Sequence, residues 1–244
     1  VELLRLKTFD FYQELKPREI PSPRGKPVTI IDFDEESLNE VGQWPWPRTT
    51  IAKLVQNLKQ LGAALVAFDI VFAEPDRMNP DKIPDVVFGL DEATTAKLRA
   101  LPSNDLVFAK AIKESRVVLG QAGYWEKVKT KNKKGPPIKK SVALLKQGKH
   151  VNPSDFLPQF ETLVRNISVL EKSASGHGIF SLAPELDGIV RRVPTLFVYD
   201  KGLYPSLSIE MLRVAFNRKT ILVKANRAGI TFLGINKNLE LPTD

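Results

Sequence analysis

Cysteine is absent from the 244-residue sequence, which excludes disulfide bonds and thiolate chemistry but fits either a reducing or an oxidising compartment. Long hydrophobic runs are absent too, since no apolar stretch approaches the roughly 18 residues that cross a bilayer. Histidine is scarce, with only His150 and His177. No Ser-His-Asp, Cys-His or metal-binding histidine spacing is visible, and no phosphate-binding loop occurs. The sequence therefore contains no catalytic motif of these kinds.

Positive charge is concentrated in one segment. The net charge is +8, and residues 126–150 hold nine lysines and one acidic residue, so the rest of the chain, with 27 basic and 27 acidic residues, is neutral. This segment lacks arginine and aromatic side chains, so base stacking is unsupported and we expect no nucleic-acid partner. We predict a lysine-rich, solvated and mobile insertion at about 126–150, centred on 131–137, within one domain that spans residues 1–244.

Residues 28–76 predict a strand, a helix and a second strand. The run 28–33 is short, apolar and β-branched, which is typical of a buried strand. Apolar residues at i, i+3, i+4 and i+7 from Ile51 predict a helix with one buried face, and Gly62 is expected to end it. The run 64–72 predicts the second strand. The unit is thus βαβ with parallel strands, and the predicted class is α/β, with a largely parallel or mixed central sheet, flanking helices and a C-terminal hairpin region.

Patterns elsewhere in the chain predict the remaining elements. These are a helix over 1–16, a long loop over 75–104 with a short helix near 91–101, a helix capped by Asn104 and running to 114, a strand over 116–124, a helical or mixed connector over 156–170, a hairpin of strands 178–182 and 192–199, a helix from 204, and a final hairpin of 221–223 with 229–233.

Acidic residues follow both strands of the predicted βαβ unit. Asp32 and Asp34 lie at the end of the first strand, Asp69 lies in the second, and Glu74 and Asp76 follow it. Ligands of open α/β sheets bind along the carboxyl edge of the strands, so we expect these carboxylates to converge there. The oxygens of Asp32, Asp34 and Asp69 suit a divalent cation, Mg²⁺ or Ca²⁺, which is the candidate cofactor. The alternative is structural: Asp34 caps the short helix that follows it, and Asp69 pairs with Arg48 or Arg192.

The block Trp44-Pro45-Trp46-Pro47-Arg48 is predicted to be stiff, because each proline fixes its own φ and disfavours the helical region for the residue before it. Trp44 and Trp46 could line a ligand pocket, and Arg48 could bind an anion or clamp the carboxylates. The alternative is a hydrophobic lid with one salt bridge.

Two further residues are candidate ligand contacts. His177 lies between two glycines, which permits close backbone approach. It is better explained as a loop residue than as a catalytic residue. Arg192, with Arg191 beside it, could supply a second anion-binding pair. Paired arginines next to a turn are more often solvated.

Six sequence blocks occur in a fixed order along the chain. They are 30–38 (Ile-Ile-Asp-Phe-Asp-Glu-Glu-Ser-Leu), 42–48 (Gly-Gln-Trp-Pro-Trp-Pro-Arg), 61–63 (Leu-Gly-Ala), 68–72 (Phe-Asp-Ile-Val-Phe), 188–194 (Gly-Ile-Val-Arg-Arg-Val-Pro) and 205–208 (Pro-Ser-Leu-Ser). In this order they closely resemble the second class of CHASE domains, which are extracytoplasmic sensory modules. The likeness covers almost the entire chain.

This resemblance implies a periplasmic or extracellular sensor domain of a receptor in the cell membrane. In that family the domain follows one transmembrane helix and is usually succeeded by further spans and a cytoplasmic output, such as a nucleotide cyclase, a histidine kinase or a serine/threonine kinase. The fragment itself would have no catalytic activity. Its signal would be an unknown small molecule or ion, and its membrane contact would be through flanking helices absent from this sequence.

Two other functions are alternatives to the sensor function. A metal-dependent phosphoesterase-like hydrolase would use Asp32, Asp34 and Asp69 as metal ligands and His177 as acid or base. A structural dimerisation module would pack residues 1–15 against the same helix of a second copy. A homodimer is the expected assembly.

Overall fold

The computed structural model describes residues 2–17, 19, 28–129, 141–146, 151–182, 185–236 and 239–241. The helices are α1 (Glu2–Leu15), α2 (Glu35–Val41), α3 (Arg48–Gln60), α4 (Glu92–Ala100), α5 (Asn104–Lys113), α6 (Ser168–Ser173) and α7 (Leu207–Ala215). The strands are β1 (Val66–Phe68), β2 (Val117–Tyr124), β3 (Val142–Lys146), β4 (Gln159–Phe160), β5 (Thr162–Val164), β6 (Gly176–Ile179), β7 (Leu196–Tyr199), β8 (Gly202–Pro205), β9 (Ile221–Asn226), β10 (Gly229–Asn236) and β11 (Leu239–Leu241). Parallel and antiparallel pairs occur in the same sheets, which confirms the predicted α/β class.

The chain divides into two compact units. The smaller unit is made of residues 1–46 and 183–193, and the larger one of residues 47–182 and 194–244. The segment 183–193 connects β6 with β7, so both of its ends continue into strands of the larger unit. The prediction of a single domain stays a prediction.

The central sheet of the larger unit is organised around β2. This strand pairs in parallel with β1 and β6 and antiparallel with β5. Its first five residues are buried, as expected for a strand covered on both faces. A Cβ at Gly120 would lie 2.5 Å from the carbonyl oxygen of Phe68 and 2.7 Å from the Phe180 ring, so only glycine fits where these groups approach β2.

Helices α3 and α5 pack against each other in the larger unit, and α5 also packs against α6. Three aromatic rings form an edge-to-face group close to these helices: Phe68, Phe72 and Phe108 have ring centroids 5.2–5.8 Å apart. All three side chains are buried, and each such burial contributes about 1.5–3 kcal/mol relative to exposure.

Two further sheets belong to the larger unit. One has the order β11-β10-β9-β3, and the antiparallel β9–β10 pair confirms the predicted C-terminal hairpin. The other has the order β4-β7-β8. Strand β3 lies inside the lysine-rich range 126–150 and pairs in parallel with β9. The insertion at about 126–150 stays a prediction. The expected centre of the insertion, 131–137, lies outside the described residues.

The first predicted strand is wrong. Residues 28–33 are irregular and mostly exposed, with Ile30 87% exposed, and the first observed strand is β1. The parallel pair that does form is β1 with β2, and its connection contains α4 and α5. The second predicted strand, 64–72, shortens to the three residues of β1. An apolar β-branched run becomes a strand only where a partner offers its backbone groups, and local sequence does not specify that partner.

Several other predictions were corrected. The hairpin of 178–182 with 192–199 is wrong, because β6 pairs with β2 while β7 pairs with β8 and β4. The connector 156–170, predicted to be helical or mixed, is mixed: it contains β4, β5 and the start of α6. The cap of α5 is Ser103, whose side chain accepts a hydrogen bond from the Asp105 N–H, and not Asn104. Within the described residues, no helix combines the length and apolar character needed to cross a membrane.

Candidate functional site

Arg48 occupies the first position of α3 and is buried, with 7% exposure. The preceding Pro47 has no side-chain acceptor for the free N–H groups of the helix. Instead, the Arg48 N–H donates to Asp76 Oδ2 at 2.7 Å. The guanidinium lies 4.4 Å from the centre of the Phe72 ring, and its Nε is 3.7 Å from Asp105 Oδ1. Burial lowers the pKa of Arg48, whereas the charges of Asp105 and Asp76 act in the opposite direction.

The two carboxylates beside Arg48 are themselves held by hydrogen bonds. The Asp76 N–H donates to both oxygens of Asp105, at 3.1 and 3.3 Å. Asn104 Nδ2 donates to Asp76 Oδ2 at 2.9 Å, and Asn79 Nδ2 donates to Asp105 Oδ2 at 2.8 Å. This network joins the chain that follows β1 to the first turns of α3 and α5. Its buried charges are paired, which is a structural use of Arg48 rather than an open anion site.

The three predicted metal ligands do not end neighbouring strands. Asp34 caps α2, accepting hydrogen bonds from the Ser37 N–H at 2.9 Å and the Ser37 hydroxyl at 2.7 Å, and these bonds lower the pKa of Asp34. Asp32 is exposed in the irregular segment, whereas Asp69 follows β1, where partial burial raises its pKa. Asp32 and Asp34 belong to the smaller unit and Asp69 to the larger. Residues 28–33, which the structure describes, form no strand, so they do not supply the sheet edge on which convergence was predicted.

No group of three or more His, Asp or Glu side chains in the described parts of the chain is arranged to hold a metal ion. A site for Mg²⁺ or Ca²⁺ at Asp32, Asp34 and Asp69 therefore stays a prediction without the geometry that motivated it. The structural alternative is confirmed for Asp34, which is a helix cap. It is not found for Asp69, because Arg48 pairs with Asp105 instead.

The tryptophans of the Trp-Pro-Trp-Pro-Arg block pack against a phenylalanine of the same unit. The Phe33 ring centre lies 5.1 Å from that of Trp44 and 4.8 Å from that of Trp46. Trp46 is buried and its indole Nε1 donates to the Gly42 carbonyl at 2.6 Å, while Trp44 is 38% exposed. The Trp44–Pro45 peptide bond is cis. This packing favours the hydrophobic lid, and the ligand-lining role of the two tryptophans stays a prediction.

His177 and Arg192 are in contrasting surroundings. His177 lies in the middle of β6, and its backbone N–H donates to Glu210 Oε1 at 3.3 Å. Its side chain is buried in the sheet region rather than in a loop. Arg192 is exposed and forms no ion pair with the residues that the structure describes.

Arg191, which the sequence pattern did not single out over Arg192, forms a dense charge cluster in the described part of the smaller unit. Its side chain is only 5% exposed. Nε and Nη2 donate to the two carboxylate oxygens of Asp10 in α1, both at 2.7 Å. Nη1 donates to Glu185 Oε2 at 2.9 Å, and Nη1 and Nη2 donate to the two oxygens of Asp187 at 2.9 and 2.7 Å. One guanidinium thus binds three carboxylates.

These contacts shift the pKa values of the partners in the expected directions. Hydrogen bonds from Arg191 lower the pKa of Asp187 to about 2 and hold that of Asp10 below its usual range. The same bonds raise the pKa of Arg191. The sequence offers a local signal for Glu185 and Asp187, which lie six and four residues before Arg191. It offers none for Asp10, which is 181 residues away.

The Arg191 cluster connects two separate stretches of sequence. Asp10 lies in α1, whereas the other members belong to the segment 183–193 that runs between β6 and β7. An arrangement of this kind performs no covalent chemistry. It holds α1 to the segment 185–193 within the smaller unit.

A comparison with protein-family models matches residues 1–244, the whole chain, to the CHASE2 domain. No curated protein and no solved structure matches the chain. The family match confirms the resemblance carried by the six sequence blocks.

Proposed function

Because the chain belongs to the CHASE2 domain family, whose members are extracytoplasmic sensory domains without catalytic activity, we propose that it senses a signal for a membrane receptor and passes it to a cytoplasmic output. The output proposed is a nucleotide cyclase or a protein kinase. The signal is a small molecule or an ion, and the receptor is held in the membrane by helices outside this sequence.

The observation that carries the proposal is the ion pair of Arg191 with Asp10. It is bidentate, both distances are 2.7 Å, and the guanidinium is nearly buried. Such fork-to-fork pairs fix orientation as well as distance. Through it, α1 is held by the segment 183–193, which is covalently continuous with β6 and β7. A rearrangement of those strands reaches α1 through this contact.

A stimulus changes the output only if it binds two arrangements of the domain with unequal affinity. In one arrangement the Asp10–Arg191 pair is closed, as in this structure. In the other, Arg191 keeps Glu185 and Asp187 as partners and α1 is released. Since Arg191 retains two carboxylates after release, opening the pair does not leave its charge buried alone, which keeps the two arrangements close in free energy.

The partner proposed for α1 is the same helix of a second copy. Apolar residues of α1 are exposed at i, i+7 and i+11, namely Leu4 (74%), Phe11 (56%) and Leu15 (65%). This spacing places them along one side of a helix, which is the arrangement of a two-helix seam. Receptor dimerisation through α1 would let the position of α1 control the spacing of two output domains.

The rival hydrolase lacks support on two counts. Its three carboxylates lie at no common sheet edge, and His177 is buried within β6. The discriminating measurement is hydrolysis of a generic phosphoester with added Mg²⁺ or Mn²⁺. Turnover abolished by Asp32→Ala would establish the hydrolase.

The sensor proposal is tested in the complete receptor in membranes, with cyclic-nucleotide formation or phosphoryl transfer as the readout. Asp10→Asn removes the charge while keeping the size of a side chain that is one third exposed, so folding should be retained. We expect Asp10→Asn and Arg191→Ala to change the basal output in the same direction, and the double variant to match the stronger single variant.

Arg227→Ala is the matched control, because it removes an exposed arginine, in the turn between β9 and β10, that makes no ion pair with the described part of the chain. It should leave the output near the wild-type level. Unchanged output in Asp10→Asn and Arg191→Ala, with both proteins folded, would refute the role of this pair in signalling.

A further inference from the structure

Residues 28–33 leave their backbone groups without protein partners. None of the N–H or C=O groups of this segment forms a hydrogen bond with the residues that the structure describes. The sequence of the segment is Val-Thr-Ile-Ile-Asp-Phe, and its first four residues are β-branched, the type that favours strands. The segment thus has the local preference of a strand but lacks the neighbouring chain that a strand requires.

The aliphatic side chains of this segment are exposed as well. They are Val28 (59%), Ile30 (87%) and Ile31 (50%). Phe33 differs, because it is partly buried and its ring packs on Trp44 and Trp46. The part of the segment that remains available to a partner is therefore 28–32, with Ile30 at its centre.

The free backbone groups determine what kind of partner fits residues 28–32. Exposed apolar side chains alone can be covered by any apolar surface, whereas a row of free N–H and C=O groups is matched by another extended chain. A second copy of this chain brings an identical segment with the same unmade hydrogen bonds. One pairing then satisfies both copies, as in a two-fold symmetric interface.

The sequence of 28–32 is compatible with pairing to itself. Strands related by a two-fold axis pair in antiparallel fashion, and residues directly opposite each other point to the same face. With the axis at Ile30, this residue lies opposite its own copy. Thr29 then lies opposite Ile31, so that β-branched side chains meet, which stabilises a sheet. Asp32 lies opposite Val28, and no like charges face each other.

This pairing depends on a second contact between the copies. Two strands of five residues span only about 16 Å, and an isolated two-stranded ribbon is marginally stable in water. Helix α1 belongs to the same compact unit as 28–32, and its exposed apolar side is the proposed seam between two copies. Joining the copies through α1 raises the effective concentration of one segment near the other.

We infer that residues 28–32 of two copies pair as antiparallel strands about a two-fold axis at Ile30 when the copies meet through α1. The inference rests on the dimer of the proposed function and deepens it, since it names a second surface of the same interface. It also accounts for an apolar β-branched run that has no partner strand within one copy.

Hydrogen exchange at the backbone amides of 28–32 tests the pairing without altering the segment. The wild-type chain, at a concentration where sedimentation shows a dimer, is compared with the double variant Leu4→Glu with Phe11→Glu, which is expected to be monomeric. The amides that donate across the strand pair should exchange at least about tenfold more slowly in the dimer.

The outcomes separate the strand pairing from the α1 seam. A dimer whose 28–32 amides exchange as fast as those of the monomer would overturn the strand pairing and leave the α1 seam standing. Slow exchange already in the monomeric variant would mean that the segment pairs within its own chain, and would also overturn the inference. A wild-type chain that is monomeric at every concentration would overturn the seam and the strand pairing together.

Disulfide cross-linking tests the register, because the chain has no cysteine of its own. Ile30→Cys places a thiol opposite its own copy, and opposite Cα atoms of an antiparallel pair are about 4.5–5.5 Å apart, within the range of a disulfide bond. Mild oxidation by dissolved oxygen should link the Ile30→Cys chains into covalent dimers.

Val41→Cys is the matched control, because Val41 is an exposed apolar residue of α2 in the same unit. It should remain unlinked under the same oxidation. Equal linking of Val41→Cys and Ile30→Cys, or no linking of Ile30→Cys in a dimer, would overturn the pairing about Ile30.

Discussion

The Asp76 carboxylate caps α3 from a distance of 28 residues in sequence, accepting the N–H of Arg48 at 2.7 Å. A helix usually receives this bond from the residue just before it, but Pro47 has no side-chain oxygen to offer. The cap of α3 is instead a tertiary contact, supplied by Asp76. It makes the start of α3 depend on the correct placement of the chain that follows β1.

Replacing Asp76 by alanine should lower the free energy of unfolding by about 2–4 kcal/mol. The change removes the cap of α3 and leaves the buried Arg48 N–H and Asn104 Nδ2 without their acceptor. Asp76→Asn retains one acceptor oxygen and should lose less. Urea unfolding monitored by circular dichroism measures both. The comparison variant is Asp91→Ala, which removes the exposed local cap of α4 and should cost clearly less, because only a solvated cap is lost. Equal losses in Asp76→Ala and Asp91→Ala would contradict the tertiary role of Asp76.

A methyl group at Gly120 should destabilise the central sheet. The Cβ would lie 2.5 Å from a backbone oxygen of β1, which cannot move without shifting the strand, so Gly120→Ala should cost about 1–3 kcal/mol or more. Gly202→Ala is the control, because its Cβ would meet the hydroxyl end of the Tyr204 side chain at 2.9 Å and no backbone atom so closely. The melting temperatures of the two variants measure the difference in stability. A Gly120→Ala protein as stable as Gly202→Ala would refute the close approach of the Phe68 carbonyl to Gly120.

The stability of the domain should depend on pH through Asp187. Its pKa is about 2 in the folded protein and about 3.9 in an unfolded chain, so the folded state holds fewer protons between these values. The stabilisation is therefore complete above about pH 4 and is lost as the pH falls towards 2. In Arg191→Ala the slope of unfolding free energy against pH should be smaller in this window. The same slope in wild type and Arg191→Ala would show that the pair does not set the pKa of Asp187.

Charges placed on the exposed apolar side of α1 should prevent self-association. Leu4→Glu with Phe11→Glu puts like charges where two copies of the helix are proposed to meet. Sedimentation should show a dimer for the wild-type chain and a monomer for the double variant at the same concentration. Gln13→Glu, which adds a charge on the opposite side of the same helix, should remain dimeric. A wild-type chain that stays monomeric at every concentration would exclude α1 as a dimer interface.

Elements with a strong local pattern were predictable from the sequence. The apolar spacing from Ile51 identified α3, and the apolar runs on either side of a turn identified the β9–β10 hairpin, because neighbours in sequence supply these contacts. The run 28–33 is also apolar and β-branched, but it has no observed partner strand. The strand predicted from its composition is therefore wrong. The local sequence pattern indicates which secondary structure a segment can adopt, and tertiary pairing determines which one it adopts.

In the candidate site, too, local contacts were predictable from the sequence and long-range contacts were not. The cap at Asp34 was foreseeable, because it bonds to Ser37 three residues later. The partner of Arg191 was not, because nothing near Asp10 in sequence indicates an arginine 181 residues away. Pairings of this length require the three-dimensional structure.

The smaller unit is assembled from the first 46 residues and from 183–193, and this has a consequence for chimeric proteins. Exchanging only the leading stretch between two homologues would pair a foreign α1 with the resident arginine, and a mismatch at the position of Asp10 would leave that arginine with its two local acids alone. Both stretches must be transplanted together for a hybrid to inherit the parental contact.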